Sequence, residues 1–165
     1  EKNPDFGYER FSSDPFVLIV PERYDISRYV EHRVDSCFPY INMGILPSMD
    51  FVLQEESTSV RKGIERLVQH TKLLVTSSPL AIQAAESGIG CCVVNVGHLA
   101  YVNHAERLNF YQIEEEITAS SGVVFLRTKS FSQEEKYCVA CIRNALLAGE
   151  KEILKYLKKV GKMGI

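Results

Sequence analysis

Cys138-Val139-Ala140-Cys141 is a spacing that can carry chemistry: two thiols three residues apart serve dithiol redox reactions or form half of a zinc site. The redox use places such a pair at a helix start directly after a strand, whereas this pair falls inside a predicted helix. No second C-x-x-C and no spaced His pair exists to complete a zinc site. Cys138, Cys141, Ile142 and Ala145 share one helical face, so two thiols packed in a core are expected. Cys91-Cys92 lies within an apolar run and carries the same expectation. His32, His70, His98 and His104 are scattered, and His98, His104 and Glu106 match no standard metal spacing. Glu114-Glu115-Glu116 reads as a solvated strand end. There is no P-loop, no G-x-S-x-G elbow, and no glycine fingerprint opening a helix. The expectation is therefore no metal, no cofactor and no catalytic set.

Two hydroxyl clusters offer something different. Ser57-Thr58-Ser59 and Thr76-Ser77-Ser78 each follow a predicted strand and open a predicted helix. A helix start presents free backbone N–H groups and the positive end of the dipole, and the hydroxyls add donors. Each cluster taken singly is an ordinary N-cap. Two such ends, each after a strand, point to a site for a carboxylate or another small anion.

The elements that must position these residues follow from pattern. Phe16 to Val20 is a continuous apolar run stopped by Pro21, a buried strand. Ile26 to Val34 has helical spacing, and Cys37 to Ile45 reads as strand and loop. Asp50 to Gln54 is a short strand, and Ser57 to His70 a helix with Val60, Ile64, Leu67 and Val68 on one face. A strand over Lys72 to Thr76 leads to a short helix capped by Ser78, opened by Pro79 and stopped by Gly88. Ile89 to Val94 is a buried strand and Gly97 to Val102 a short helix. Phe110 to Ile117 reads as an exposed or edge strand, and Val123 to Arg127 as a buried one. Ser132 caps a helix to about Leu147, with Glu134 and Glu135 in its first turn, and Leu154, Leu157 and Val160 mark a last amphipathic helix. Strands alternating with helices predict an α/β fold with a mostly parallel sheet, in which ligands bind beyond the carboxyl ends of the strands.

A chain of 165 residues suits one domain or two small lobes and is long enough to bury a core without staples. A net charge of −2 excludes a global basic field for nucleic acid or anionic membrane. No apolar run is long enough to span a bilayer, so no membrane partner is expected. The odd cysteine count, 5, fits reduced thiols in the cytoplasm. The first residue is Glu1 rather than Met, which reads as a chain that begins inside a longer protein or in a processed form.

The order of these segments resembles a known family. "DPFVLIVPE" (14–22), "FVLQEESTSVRKGIERLV" (51–68), "LLVTSSPLAIQAAESGIGCCVV" (73–94) and "GVVFLRTKSFSQEEKYCVACIRNAL" (122–146) together resemble the effector-binding domain of LysR-type transcriptional regulators. The resemblance implies a periplasmic-binding-protein type 2-like lobe with a mostly parallel sheet flanked by helices, the first lobe largely missing. It implies a second lobe over about 14–121, remnants of the first lobe at 1–13 and 122–148, and a C-terminal amphipathic tail at 149–165. Ser57, Thr58, Ser59, Thr76, Ser77 and Ser78 would fall at an interlobe cleft, with Asn95 to Gly97 lining it. The implied function is sensing of a small, anionic effector by a homodimer that reaches DNA only through an absent N-terminal winged helix-turn-helix. The alternatives are an enzyme on the same two-lobed fold, such as a prephenate-dehydratase-like lyase, and the solute-binding protein of a transporter.

Overall fold

The computed structural model describes residues 3–33, 36–56, 58–113 and 118–163. Its organising element is β1 (Phe6–Pro21), a strand of 16 residues that pairs with different partners along its length. The first part runs antiparallel to β8 (Thr118–Leu126), from Phe6 opposite Leu126 to Pro15 opposite Thr118. The second part lies between β6 (Cys92–Asn95) and β7 (Leu108–Ile113), antiparallel to both. Phe16 to Val20 are all buried there, which is why the run is apolar at every position rather than at alternate ones.

Around this centre the sheet is mostly parallel. β4 (Asp50–Gln54) pairs parallel with β5 (His70–Val75), and a bridge between Phe51 and Cys91 ties the pair to β6. On the far side β3 (Tyr40–Ile41) runs parallel to β7, and β2 (Val30–Glu31) closes that end antiparallel to β3. β3, β4, β5, β6 and β7 thus share one direction, and β1 opposes them from the middle.

Alternation along β1 makes two core layers. Val17 and Ile19 pack with Val94, Phe110 and the Ala81, Ile82 and Ala85 face of α2 (Ser78–Glu86). Phe16, Leu18 and Val20 pack with Phe51, Val93 and the Val60 and Ile64 face of α1 (Ser59–Ile64). Helices therefore cover both faces, as the α/β pattern predicts.

Several local expectations need correction. The described part of the expected exposed or edge strand, Phe110 to Ile113, is neither: β7 sits between β1 and β3 with Leu108, Phe110, Tyr111 and Ile113 buried, while Glu114 to Ile117 lie outside the described residues. The segment at Val123 to Arg127 is not buried. β8 pairs only with the outer part of β1, and Val124 and Leu126 are 58% and 51% exposed. The helix expected over Ile26 to Val34 is a single 3-10 turn, Ser27–Tyr29, because Asp25 Oδ1 accepts from both the backbone N–H and the hydroxyl of Ser27 and fixes a turn. The helix from Ser59 gives way to a 3-10 turn at Glu65–Leu67, and β5 already begins at His70.

The two helices expected near the end are one, α3 (Gln133–Lys159), 27 residues long. Ser132 and Glu135 form a full capping box at its start: Ser132 Oγ accepts from the Glu135 N–H at 3.2 Å, and the Ser132 N–H donates to Glu135 Oε2 at 2.9 Å. Its first half reaches β1 through Arg143, which pairs with Glu9 and stacks over Phe11, and the helix packs against the 3-10 helix Val96–Tyr101. Its last turns enter the main core through fully buried Leu157, with Ile153, Leu154 and Met163 packed beside it. Gly161, at φ 71°, then supplies the left-handed residue beyond the helix.

Leu157→Ala is expected to lower the unfolding free energy by about 2–4 kcal/mol, because it empties a fully packed position. Leu146→Ala, at a half-exposed position of the same helix, should change it by less than about 1 kcal/mol. Urea unfolding followed by circular dichroism measures both.

Candidate ligand site

β4, β5 and β6 end on one edge of the sheet, at Gln54, Val75 and Asn95. Phe16 lies opposite Asn95, so β1 crosses from the ribbon into the sheet at that same edge. A cavity of about 430 Å³ opens here. It is lined by Val60 of α1, by Asn95, Gly97, His98, Ala100 and Tyr101 after β6, by Ser120 and Ser121 of β8, and by Leu146 of α3.

The turn after β6 is shaped by its own residues. Asn95 Oδ1 accepts from the Gly97 N–H at 2.8 Å and starts a 3-10 helix over Val96–Tyr101. Val96 and Leu99 are buried in the core, which leaves Gly97, His98, Ala100 and Tyr101 on the cavity side. The His98 and Tyr101 rings are tilted against each other with centroids 6.1 Å apart. His98 Nδ1 is buried without a hydrogen-bond partner. Burial also holds the imidazole below its ordinary pKa of 6.5, so the ring is neutral at neutral pH. Among the described residues no Lys, Arg, Asp or Glu lines the cavity. The wall therefore offers hydroxyls, an amide, a neutral imidazole and the apolar surfaces of Val60, Ala100 and Leu146.

The residues expected at a cleft are distributed unevenly. Asn95 and Gly97 line the cavity. Thr58 caps α1: its Oγ1 accepts from the Arg61 N–H at 3.2 Å and its hydroxyl donates to the Glu55 carbonyl at 3.0 Å. It places Val60 on the wall without lining the cavity itself. Ser57 and the side chain of Ser59 lie outside the described residues. Thr76 is exposed, Ser77 precedes α2 without a side-chain cap bond, and Ser78 is buried against the sheet; none of the three lines the cavity.

His98, Tyr101, Ser120 and Ser121 complete the wall unforeseen. An Asn-x-Gly turn after a buried strand was the available signal for the first two. For the serines it was Gly122, where any side chain would collide with the Glu9 carbonyl across the ribbon. A larger groove of about 560 Å³ runs along the ribbon itself, between Tyr8, Arg10 and Val124. It is the uncovered face of two strands rather than a convergence of polar groups, so the smaller cavity is the candidate.

The thiols need one correction. Cys138 and Cys141 are exposed, not packed in a core; on this part of α3 the partly buried side chains include Val139, Arg143 and Leu147, and Arg143 is the one that pairs with β1. Tyr137 and Ile142 on that half of the helix are 71% and 51% exposed. Cys91 and Cys92 are buried as expected, and burial pushes the Cys91 thiol up to about 12 and that of Cys92 higher still. Among the described residues no group of three His, Cys, Asp or Glu side chains gathers as a metal site. An aromatic disulfide reagent at pH 8 should therefore label Cys37, Cys138 and Cys141 quickly in the folded chain. Cys91 and Cys92 should react only after unfolding, as peptide mapping of the labelled sites would show.

No family model and no curated protein matches this chain. Solved structures do. An OxyR C206 mutant from Corynebacterium glutamicum superposes with a TM-score of 0.70 at 13% identity, over 95% of this chain and 49% of that one. The CcmR regulatory domain of Synechocystis PCC6803, in complex with 2-PG, gives 0.68 at 19%, over 88% and 70%. The effector-binding domain of QuiR, in complex with shikimate, gives 0.60 at 14%, over 96% and 68%. This chain spans about half the length of the OxyR chain. It has the fold of the effector-binding domains of LysR-family regulators, a periplasmic-binding-protein-like α/β fold.

Proposed function

We propose that this chain is the small-molecule-sensing region of a LysR-type transcriptional regulator, with the effector held in the cavity where the turn after β6 meets β8 and α3. The observation that carries the reading is the position of that cavity. It lies beyond the carboxyl ends of parallel strands, at the crossing of β1 and β8, and its volume of about 430 Å³ falls within the range of small-molecule sites. CcmR and QuiR, on the same fold, were solved with 2-PG and shikimate bound.

In this reading residues 14–121 are a second lobe, 1–13 and 122–148 belong to a first lobe, and 149–165 form a tail. A ribbon of two strands is not self-sufficient. Exposed Tyr8, Val124, Leu126, Tyr137 and Ile142 supply the apolar face that a further lobe would cover. The outer edge of β5, with Leu74 64% exposed, suits pairing in a homodimer. DNA contact belongs to a separate winged helix-turn-helix domain, and effector binding acts by favouring one lobe arrangement over another. The place of work is the cytoplasm; five free cysteines fit a reducing compartment and disfavour a transporter's solute-binding protein. An enzyme on this fold would need a catalytic cluster, and the cavity wall supplies one neutral His, one Tyr and two Ser without a carboxylate.

The test is a thermal-shift screen of the full chain against small carboxylates, phosphate esters and amino acids, with 2-PG and shikimate included. A ligand at 100 times its Kd should raise Tm by about 5–10 °C. Ala100→Trp, an exposed position on the cavity wall, should abolish the shift while leaving the unliganded Tm nearly unchanged. A screen without a responder, or a shift indifferent to Ala100→Trp, rejects the cavity as the sensing site.

A further inference from the structure

We propose that His98 is the charge-compensating group of this cavity, taking up a proton as an anionic ligand, a small carboxylate or phosphate ester, enters. The proposal rests on the reading of the cavity as the effector site and adds the chemistry by which it holds an anion.

An anion brought into a partly buried, uncharged wall needs a counter-charge, since an unpaired buried charge is far more costly than a paired one. Among the described residues no Lys or Arg lines this cavity. Of its lining groups, Tyr101 can only become negative, while Asn95, Ser120 and Ser121 stay neutral. His98 alone becomes cationic near neutral pH. Its backbone is fixed, because Val96 and Leu99 on the same turn are buried. Its ring is not fixed by hydrogen bonds: Nδ1 is buried and has no partner. In the empty site the second proton would leave an N–H group unsatisfied, so the neutral ring wins. In the proposed bound state a half-turn about Cβ–Cγ exchanges Nδ1 with Cδ2 and turns that nitrogen toward the ligand. A ligand oxygen there accepts from the new N–H, and the ion pair forms together with the hydrogen bond. Ser120 and Ser121 hydroxyls, from the ribbon side, are placed to donate to the remaining ligand oxygens.

Several ionisable groups of the surrounding elements have partners of their own. Glu86 of α2 accepts from the backbone N–H groups of Asn103 and His104 at 2.7 and 2.8 Å. Arg143 of α3 pairs with Glu9 of β1. Arg61 of α1 pairs through Nη2 with Glu65 at 3.2 Å; its Nε and Nη1 are buried without a hydrogen-bond partner, and it does not line the cavity. Glu150 of α3 has its own interaction, while Lys151, Glu152 and Lys155 further along are exposed. Cys92 of β6 is held protonated by burial. Tyr101 packs against the His98 ring, and burial alone accounts for the lowered basicity of the imidazole. The sign then follows: anion binding raises a depressed pKa, so affinity is greatest at low pH and falls as pH rises above the value of the empty site.

The experiment is calorimetric titration of the full chain with shikimate, whose carboxylate does not itself titrate between pH 6 and 8, in two buffers of different ionisation enthalpy. Expected are proton uptake on binding and an affinity falling about tenfold per pH unit above the empty-site pKa. His98→Asn should remove both the proton uptake and the pH dependence, while Tyr101→Phe keeps them. Ring NMR should show the His98 pKa rising when shikimate binds. Binding that is independent of pH, or a His98→Asn variant that behaves like the parent, overturns the role of His98 and leaves the cavity standing as the site. Absence of binding, or binding that Ala100→Trp leaves intact, overturns the cavity reading and the proposal with it.

Discussion

A strand carries N–H and C=O groups on both edges, and β1 pairs them in two different ways along one length. From Phe16 to Pro21 it is held by β6 and β7, on both edges at Val17 to Ile19. From Phe6 to Pro15 it is held by β8 alone, with a register shift between Arg10 and Ser12. The change of partner is what separates a buried sheet from an exposed ribbon, and it falls at the edge where the parallel strands end. The cavity sits at that change, where a strand end, a crossing strand and a long helix come together. Remove the pairing of Val17 and Leu18 with β6 and β7, and both core layers lose their common wall.

The site that results is sparing in charge. Its polar groups are an amide, an imidazole and hydroxyls, and the apolar side of its wall comes from three different helices or turns. Such a lining gains orientation from hydrogen bonds and affinity from exclusion of water. The turn that carries most of it is stiff, since Asn95 ties its start at Gly97 and two side chains root it in the core. The opposing serines sit on the ribbon, the less buried part of the molecule. One wall is thus fixed to the main core and the other belongs to the part with fewer supports.

What could be read from sequence was what depends on near neighbours. Asp50 to Gln54 is a strand and Ser132 caps a helix, because local chemistry decides each; for α1 the hydroxyl run 57–59 marked the helix start, and the structure makes Thr58 the cap. Phe16 to Val20 could be read as buried because five apolar residues in a row leave no polar face. The order of the segments was enough to recognise the fold. Burial of β8 could not be read in the same way. Val123 and Val124 look like core, and only the lack of further strands around the ribbon leaves Val124 at the surface. The same reason puts Cys138 and Cys141 outside: helical spacing fixes that they share a face, but not which face meets the ribbon. Ser78 shows the reverse case, a hydroxyl at a helix start that sinks because the alanines after it let α2 lie close on the sheet. His98 matched no motif at all. Its place follows from Val96 and Leu99 turning inward, a fact of packing that spacing does not encode.

One consequence follows from the continuity of α3. Its 27 residues make a rod about 40 Å long, tied to the ribbon through Arg143 and seated at its end in the main core through Leu157. A helix of this length behaves as a stiff beam rather than a tether, so a small rotation of the ribbon is carried along the axis instead of dissipating in a loop. Leu146, close to the midpoint of the beam, forms part of the cavity wall. The volume of the cavity and the inclination of the helix are therefore geometrically linked.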